Sequence, residues 1–211
     1  MIPTKREMKE ALIRRQGKAL TKQFEKAVVA VCGLGGLGSH IAEALARAGV
    51  GTLILLDFDR VDVSNLHRQQ YRVAQVGRYK AEALAENIRA FAPYIEIHAH
   101  VARLTETNGA DFLHGADVVC EAFDDPRAKA MLAELVLGTM PKTCLVAASG
   151  MAGFDSANRI HTRKVMERFY LCGDEVSEVT EENGLFSSRV MVCAAHQAHM
   201  VLRLLAGNRD C

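Results

Sequence analysis

An α/β fold with a doubly wound, mostly parallel sheet is what this 211-residue sequence predicts, and three observations carry it. Short apolar runs alternate with helix-patterned stretches along most of the chain. The first such run is continuous and β-branched, as a central strand covered on both faces should be. A glycine-rich turn, Gly33-Leu34-Gly35-Gly36-Leu37-Gly38, follows that run directly and opens a helical pattern, which is the order of a βαβ unit.

Taken in order, residues 5–24 mix charges with apolar Met8, Leu12, Leu20 and Phe24 and predict one or two short surface helices. They form an arm, residues 1–25, ahead of a single domain, residues 26–211. Ala27 to Cys32 predicts the first strand, Ser39 to Ala48 the helix after the glycines, and Thr52 to Leu56 the second strand, closed by Asp57. Residues 80–92 predict a helix, Ile95 to Val101 a third strand, Asp117 to Cys120 a fourth, Pro126 to Leu137 a helix and Thr143 to Ala148 a fifth strand. Arg159 to Lys164 and Phe169 to Leu171 predict short strands. Asp174 to Gly184 is acidic and weakly apolar, and predicts a mobile or partner-contacting loop. Val190 to Leu205, rich in Ala, Val, Met and Leu, predicts a closing helix packed on the sheet. The whole is a Rossmann-like architecture with helices on both faces.

Composition narrows the function classes. With 49% hydrophobic residues the chain can bury a sizeable core. Lys and Arg total 26 against 25 Asp and Glu, a formal net charge of +1. Bulk electrostatics therefore offer neither nucleic acid nor an anionic membrane a basic face, and phosphate binding must be local. The charged start, Lys5, Arg6, Glu7, Lys9 and Glu10, contains no signal-like apolar stretch, so a cytoplasmic protein is expected. Six cysteines without a CxxC pair, three of them inside apolar runs, read as buried thiols of a reducing compartment.

Gly33, Gly35 and Gly38 fit G-x-G-x-x-G after a strand and before a helix, where glycine lets the backbone approach phosphate and free N–H groups stabilise its charge. Asp57 stands at the end of the second strand, where a carboxylate accepts hydrogen bonds from ribose. These features suit any nucleotide or dinucleotide. The next segment discriminates, because Arg68 and Lys80 place two cations around a short loop, which suits a triphosphate better than a nicotinamide pyrophosphate. Each, taken alone, is equally well read as a solvated surface charge.

Three motifs, G-L-G-G-L-G-S from Gly33, L-L-D-F-D-R-V-D-V-S-N-L-H-R-Q from Leu55, and G-R-Y-K from Gly77, together resemble the adenylating domain of the ThiF, MoeB and ubiquitin-activating-enzyme superfamily. The resemblance spans roughly residues 15 to 150. The short length and the stretches C-G-D-E-V-S-E and A-A-H-Q-A are most similar to a compact ThiF subgroup associated with thiamine biosynthesis. It implies an ATP-dependent adenylyltransferase that activates the C-terminal Gly-Gly carboxylate of a ubiquitin-like sulfur carrier protein (ThiS-like). The cofactors implied are ATP and Mg²⁺. Position by position, Gly33, Gly35, Gly36, Gly38, Asp57 and Asp59 would line the nucleotide, with Asp57 on the ribose. Asn65, Arg68 and Lys80 would contact phosphates, Gln69 would support that loop, and Asp124 would hold Mg²⁺. Arg15 would act in trans in a homodimer. Asp125 stands where the family has Asn, which leaves its role open, and Asp124 also reads as an N-cap for the helix at Pro126.

The departures matter too. The two CxxC pairs that hold zinc in larger relatives are missing, so no structural zinc is expected; Cys172, Cys193, His196 and His199 are the residues that a metal site would have to use. No cysteine lies between Thr180 and Ser188, where the family's reactive thiol stands, which leaves Cys172 as the nearest thiol and a buried remnant as its reading. Adenylation without a thioester on this chain follows. An NAD-dependent oxidoreductase and a catalytically inactive nucleotide-binding scaffold are the rivals; the first leaves Arg68, Lys80 and Asp124 unexplained.

Overall fold

A computed structural model describes residues 2–180 and 183–211. The arm forms two helices, α1 (Lys5–Gln16) and α2 (Lys18–Phe24), split at Gly17, whose φ of 89° reverses the chain. Thr4 caps α1 in a reciprocal box with Glu7. The remaining elements are β1 (Val28–Cys32), α3 (Gly36–Ala48), β2 (Thr52–Leu56), α4 (Lys80–Arg89), β3 (Glu96–His100), α5 (Gly109–Phe112), β4 (Val118–Glu121), α6 (Pro126–Thr139), β5 (Cys144–Ala148), β6 (His161–Met166), β7 (Phe169–Gly173) and α7 (Ser187–Leu205).

The seven strands form one sheet in the order β3-β2-β1-β4-β5-β7-β6, parallel throughout except for the β6–β7 pair. Alternate residues of each central strand face opposite layers. Val29, Val31, Leu53, Leu55, Cys120 and Val146 pack under α3, α4 and α7, while Ala30, Cys32, Ile54, Leu56, Val119 and Leu145 pack under α5 and α6. The order reverses between β1 and β4, and the crevice at their carboxyl ends is where a ligand of such a sheet binds.

The Rossmann-like expectation holds, with corrections at the ends of elements. The helix after the glycines begins at Gly36 rather than Ser39, so the motif's last glycine lies inside the helix. The helix expected to reach residue 92 ends at Arg89, in keeping with the restriction that Pro93 places on its predecessor. The last helix starts at Ser187, and the short α5 carries too little periodicity to be foreseen. The loop expected over Asp174 to Gly184 begins anchored. Asp174 forms a buried ion pair with Arg189, and Glu175 takes both branches of the Arg163 guanidinium at 2.6 and 2.7 Å. Glu181 and Glu182, the centre of that loop, lie outside the described residues. Five cysteines are buried as expected, but Cys211 is exposed.

Candidate nucleotide site

The glycines of the β1–α3 turn divide by what surrounds them. Gly33 has φ of 87°, and a Cβ there would stand 2.7 Å from the Ala122 carbonyl oxygen. At Gly38 a Cβ would lie 1.8 Å from the Gly33 oxygen. Backbone packing therefore requires both. Gly35 has no such neighbour, because Gln69 Nε2, at 3.7 Å, is the nearest atom to its Cβ position. At Gly36 the nearest are Val190 and the Arg68 stem, at 3.0 and 3.6 Å. The N–H groups of Gly36, Leu37 and Gly38 begin α3 and have no acceptor among the described residues. The turn is a cradle of backbone, walled at Gly35 and Gly36 by side chains rather than backbone and faced by the positive end of a helix.

Asp57, at the end of β2, is buried and fastens this turn. Its Oδ2 accepts the Leu34 N–H at 2.7 Å and its Oδ1 the Asp59 N–H at 2.8 Å. Burial pushes its carboxyl above the usual aspartate range, while Lys80 and the two N–H groups pull it back. Each oxygen keeps a lone pair for a further donor such as a ribose hydroxyl. Tyr71, which the sequence reading missed, donates its hydroxyl to Leu34 O at 2.7 Å from within the core. Lys80 begins α4 almost fully buried, and its Nζ donates to Asp59 Oδ2 at 2.8 Å. Asp59 thus meets Lys80 directly. A buried ammonium held by a half-exposed carboxylate can exchange that partner for an incoming phosphate.

The loop between Asp62 and Gln69 brings Arg68 and Gln69 beside Gly36 and Gly35, whereas the contacts of Asn65 among the described residues stay within the loop. Asp62 caps a short 3₁₀ turn, and Asn65 Oδ1 returns the contact by accepting the Asp62 N–H at 3.0 Å. Arg68 is half-buried, donates through Nη1 to Ser64 O at 3.0 Å, and packs its stem against Gly36. Its guanidinium loses some of its usual basicity to burial and regains part of it from the Asp124 carboxylate, which places Arg68 and Asp124 within electrostatic reach of each other. Gln69 is buried beside Gly35 with Oε1 unpartnered among the described residues, an acceptor whose burial calls for a donor.

Asp124 lies in the turn between β4 and α6. The alternative reading of Asp124 as the helix cap is corrected, because Asp125 is the N-cap and accepts the Ala128 N–H at 2.7 Å, with Pro126 at the first helical position. Asp125 thereby has a role and the exposed Asp124 carboxylate is left free for others. Arg15 is not brought to the site of its own chain. It is exposed in the last turn of α1, and its neighbour Gln16 donates to Ala48 O at 2.9 Å. That docks the arm at the far end of α3, roughly 20 Å of helix from the glycines.

Cys172 is fully buried, and burial pushes its thiol up to about 12, so it is not poised as a nucleophile. His196 shares a hydrogen bond of 3.0 Å with Thr162, and both line a cavity of about 540 Å³ with His199 and Arg203, between α7 and β6 and away from the glycines. Among the described residues no three His, Cys, Asp or Glu side chains cluster as a metal site.

Two buried ion pairs went unforeseen. Glu121 at the end of β4 pairs with Lys129, and burial raises the Glu121 carboxyl against the pull of Lys129 and the Phe123 N–H. Arg189 pairs with Asp174 and donates to Ala152 O at 3.1 Å and Ser156 O at 2.8 Å, which pins the loop after β5. A charged residue closing an apolar strand was the one visible signal for Glu121.

Comparison with known proteins places this geometry among relatives. A family model described as the ThiF family matches residues 7–210. A sulfur carrier protein adenylyltransferase of Thermus thermophilus is 35% identical over 118 residues, 56% of this chain and 44% of that protein. An adenylyltransferase and sulfurtransferase of Lodderomyces elongisporus is 27% identical over 192 residues, 88% of this chain and 42% of its own length. The chain thus spans less than half of these relatives. Among solved structures, the E. coli tRNA N6-threonylcarbamoyladenosine dehydratase TcdA, in complex with ATP, superposes with a TM-score of 0.87 over 98% of both chains at 24% identity, a likeness of fold.

Proposed function

The chain belongs to the ThiF family, and from that premise we propose that it is an ATP-dependent adenylyltransferase acting on the C-terminal Gly-Gly carboxylate of a ubiquitin-like sulfur carrier protein, as in thiamine biosynthesis. This reading rests on the free helix N–H groups beside Gly35, the buried cation Lys80 on Asp59, and Arg68, whose stem packs at Gly36 with the Asp124 carboxylate within electrostatic reach. A nicotinamide site needs no such set.

The carboxylate oxygen of the carrier attacks the α-phosphorus of ATP, and the bond from that phosphorus to the bridging oxygen of pyrophosphate breaks, leaving an acyl-adenylate and free pyrophosphate. A carboxylate is ionised at neutral pH and needs no general base. The protein's work is then positioning and charge stabilisation. The N–H groups of Gly36, Leu37 and Gly38 would face the phosphates, Lys80 would leave Asp59 for them, Arg68 would offset the charge on the departing pyrophosphate, and Asn65 and Gln69 would complete the wall. Asp57 would hold the ribose. Asp124 suits a hard dication that draws most of its ligands from phosphate and water; bound there, Mg²⁺ would neutralise phosphate charge. The arm would carry Arg15 to the nucleotide of a second copy, since in its own chain it lies at the wrong end of α3.

Sequence relatives named for sulfur carrier adenylation support the substrate. A second reading draws on size: the chain matches TcdA over 98% of both lengths, and threonine linked to a tRNA nucleoside also presents a carboxylate to activate. Exchange of labelled pyrophosphate into ATP tests the proposal. Exchange that requires a Gly-Gly-tailed carrier supports it, exchange that requires modified tRNA supports the second reading, and no exchange with either counts against both. Quenching of NADH fluorescence would support the oxidoreductase rival.

A further inference from the structure

The carboxyl end of β4 carries an acid that the reaction above does not use. Glu121 is 1% exposed, and its two oxygens accept from Lys129 Nζ at 3.0 and 2.9 Å. Lys129 Nζ also donates to Ala148 O at 3.1 Å. Glu121 Oε1 accepts the Phe123 N–H at 2.7 Å, and Gln197 Nε2 donates to Glu121 O at 3.0 Å and to Val146 O at 3.3 Å. One carboxylate therefore ties the ends of β4 and β5 and the first turns of α6 to the turn Ala122-Phe123-Asp124-Asp125, and α7 braces the same strand ends from the other layer.

That turn forms one wall of the cradle. The Ala122 N–H donates to Cys32 O at 2.9 Å, and the Ala122 oxygen and the Phe123 ring stand 2.7 and 3.0 Å from the Cβ position of Gly33. Asp124 follows at once, within electrostatic reach of Arg68. A buried ion pair is poor value as a brace, since apolar side chains of similar size often stabilise as much. An apolar pair, however, cannot accept the Phe123 N–H, and without that acceptor the turn loses the bond that fixes where Asp124 stands.

We propose that Glu121 and Lys129 are a positioning pair for the Asp124 turn, setting its distance from the glycine turn and thereby the fit of the triphosphate between them. The proposal rests on the nucleotide reading of the cradle. Lys129 acts through Glu121, Glu121 through the Phe123 N–H, and neither touches ATP. Arginine at 129 can also offer two donors to one carboxylate, so it should restore what methionine removes.

Wild type, Lys129→Met, Lys129→Arg, Glu121→Met, Asp124→Asn and the double variant Lys129→Met/Asp124→Asn are titrated with MgATP by calorimetry, each well below its melting temperature. Pyrophosphate exchange then separates the KM for ATP from the KM for the carrier. Lys129→Met and Glu121→Met, the second of which leaves the Phe123 N–H without its acceptor, are expected to weaken ATP binding and raise its KM by ~10-fold, the loss of about one charge-assisted hydrogen bond. Lys129→Arg stays within ~3-fold of wild type, and the KM for the carrier does not move. Because the pair acts through Asp124, Lys129→Met should add less than ~3-fold in the Asp124→Asn background. Wild-type affinity in Lys129→Met, failure of Lys129→Arg to restore it, or a full ~10-fold effect on top of Asp124→Asn overturns the pair's role and leaves the nucleotide reading standing. If wild type itself binds no MgATP, the nucleotide reading falls and the proposal with it.

Discussion

Gly35→Ala and Gly38→Ala should fail in opposite ways, although the two glycines stand three residues apart in one motif. A methyl at Gly38 would sit 1.8 Å from the Gly33 oxygen, and real Cβ atoms essentially never come within 3.0 Å. The backbone at one of these residues must therefore move by more than ~1 Å in a packed core, where overpacking costs about 3 kcal/mol. For a chain of this size that lowers Tm by roughly 10 °C. A methyl at Gly35 meets nothing closer than Gln69 Nε2 at 3.7 Å, so Tm should change by less than ~2 °C. It would instead occupy the space that phosphate needs beside the free N–H groups, and ATP affinity should fall at least ~10-fold. Differential scanning fluorimetry without ligand, followed by ATP titration, separates the two outcomes. Unchanged Tm in Gly38→Ala, or unchanged ATP affinity in Gly35→Ala, would refute the division of labour among the glycines.

Three other predictions concern charge and thiols. Lys80→Met and Arg68→Met should each slow pyrophosphate exchange on the order of 10²-fold, with far-UV circular dichroism unchanged; full activity in either removes that residue from the site. Burial pushes the Asp174 carboxyl up, but the Ser177 and Val176 N–H groups and Arg189 outweigh it and leave it below the ordinary 3.8. A carboxyl lowered on folding adds stability above its unfolded value and loses it as acid carries the pH through the folded one. Asp174→Asn, which also leaves Arg189 buried and unpaired, should therefore cost on the order of 3 kcal/mol at neutral pH, and Tm measured from pH 7 to pH 3 should show the gap to wild type narrowing only below about 3.8. A gap that stays constant across that range contradicts the assignment. Cys172→Ala should form acyl-adenylate at the wild-type rate, and iodoacetamide should label the folded protein at Cys211 rather than at buried Cys172; a label on Cys172, or lost adenylation, would reopen its role.

Local patterns made the fold legible. Continuous apolar runs such as Ala27 to Cys32 can be satisfied only by burial on both faces, and the structure puts them in the centre of the sheet. Residues that stand in or beside a motif were legible too: Asp57 follows β2 directly and meets the glycine turn, and Arg68 and Gln69 ride the loop that follows. What stayed hidden depends on distant partners. Asp174 and Arg189 stand 15 residues apart, and Gln197 reaches Glu121 across 76; no periodicity links them. Asp125 rather than Asp124 caps α6, since it directly precedes Pro126 and its carboxylate reaches the Ala128 N–H. The start of α3 at Gly36 was obscured because glycine propensity argues against helix.

The central claim, that this cradle activates a carrier's carboxylate with ATP, is tested most directly by mass spectrometry of a Gly-Gly-tailed sulfur carrier incubated with the protein, ATP and Mg²⁺. The carrier should gain the mass of one adenylyl group at its C-terminus, with equimolar pyrophosphate released, and the gain should be slower on the order of 10²-fold in Lys80→Met. A carrier of unchanged mass under conditions where the protein binds ATP, tried across candidate carriers, would contradict the claim.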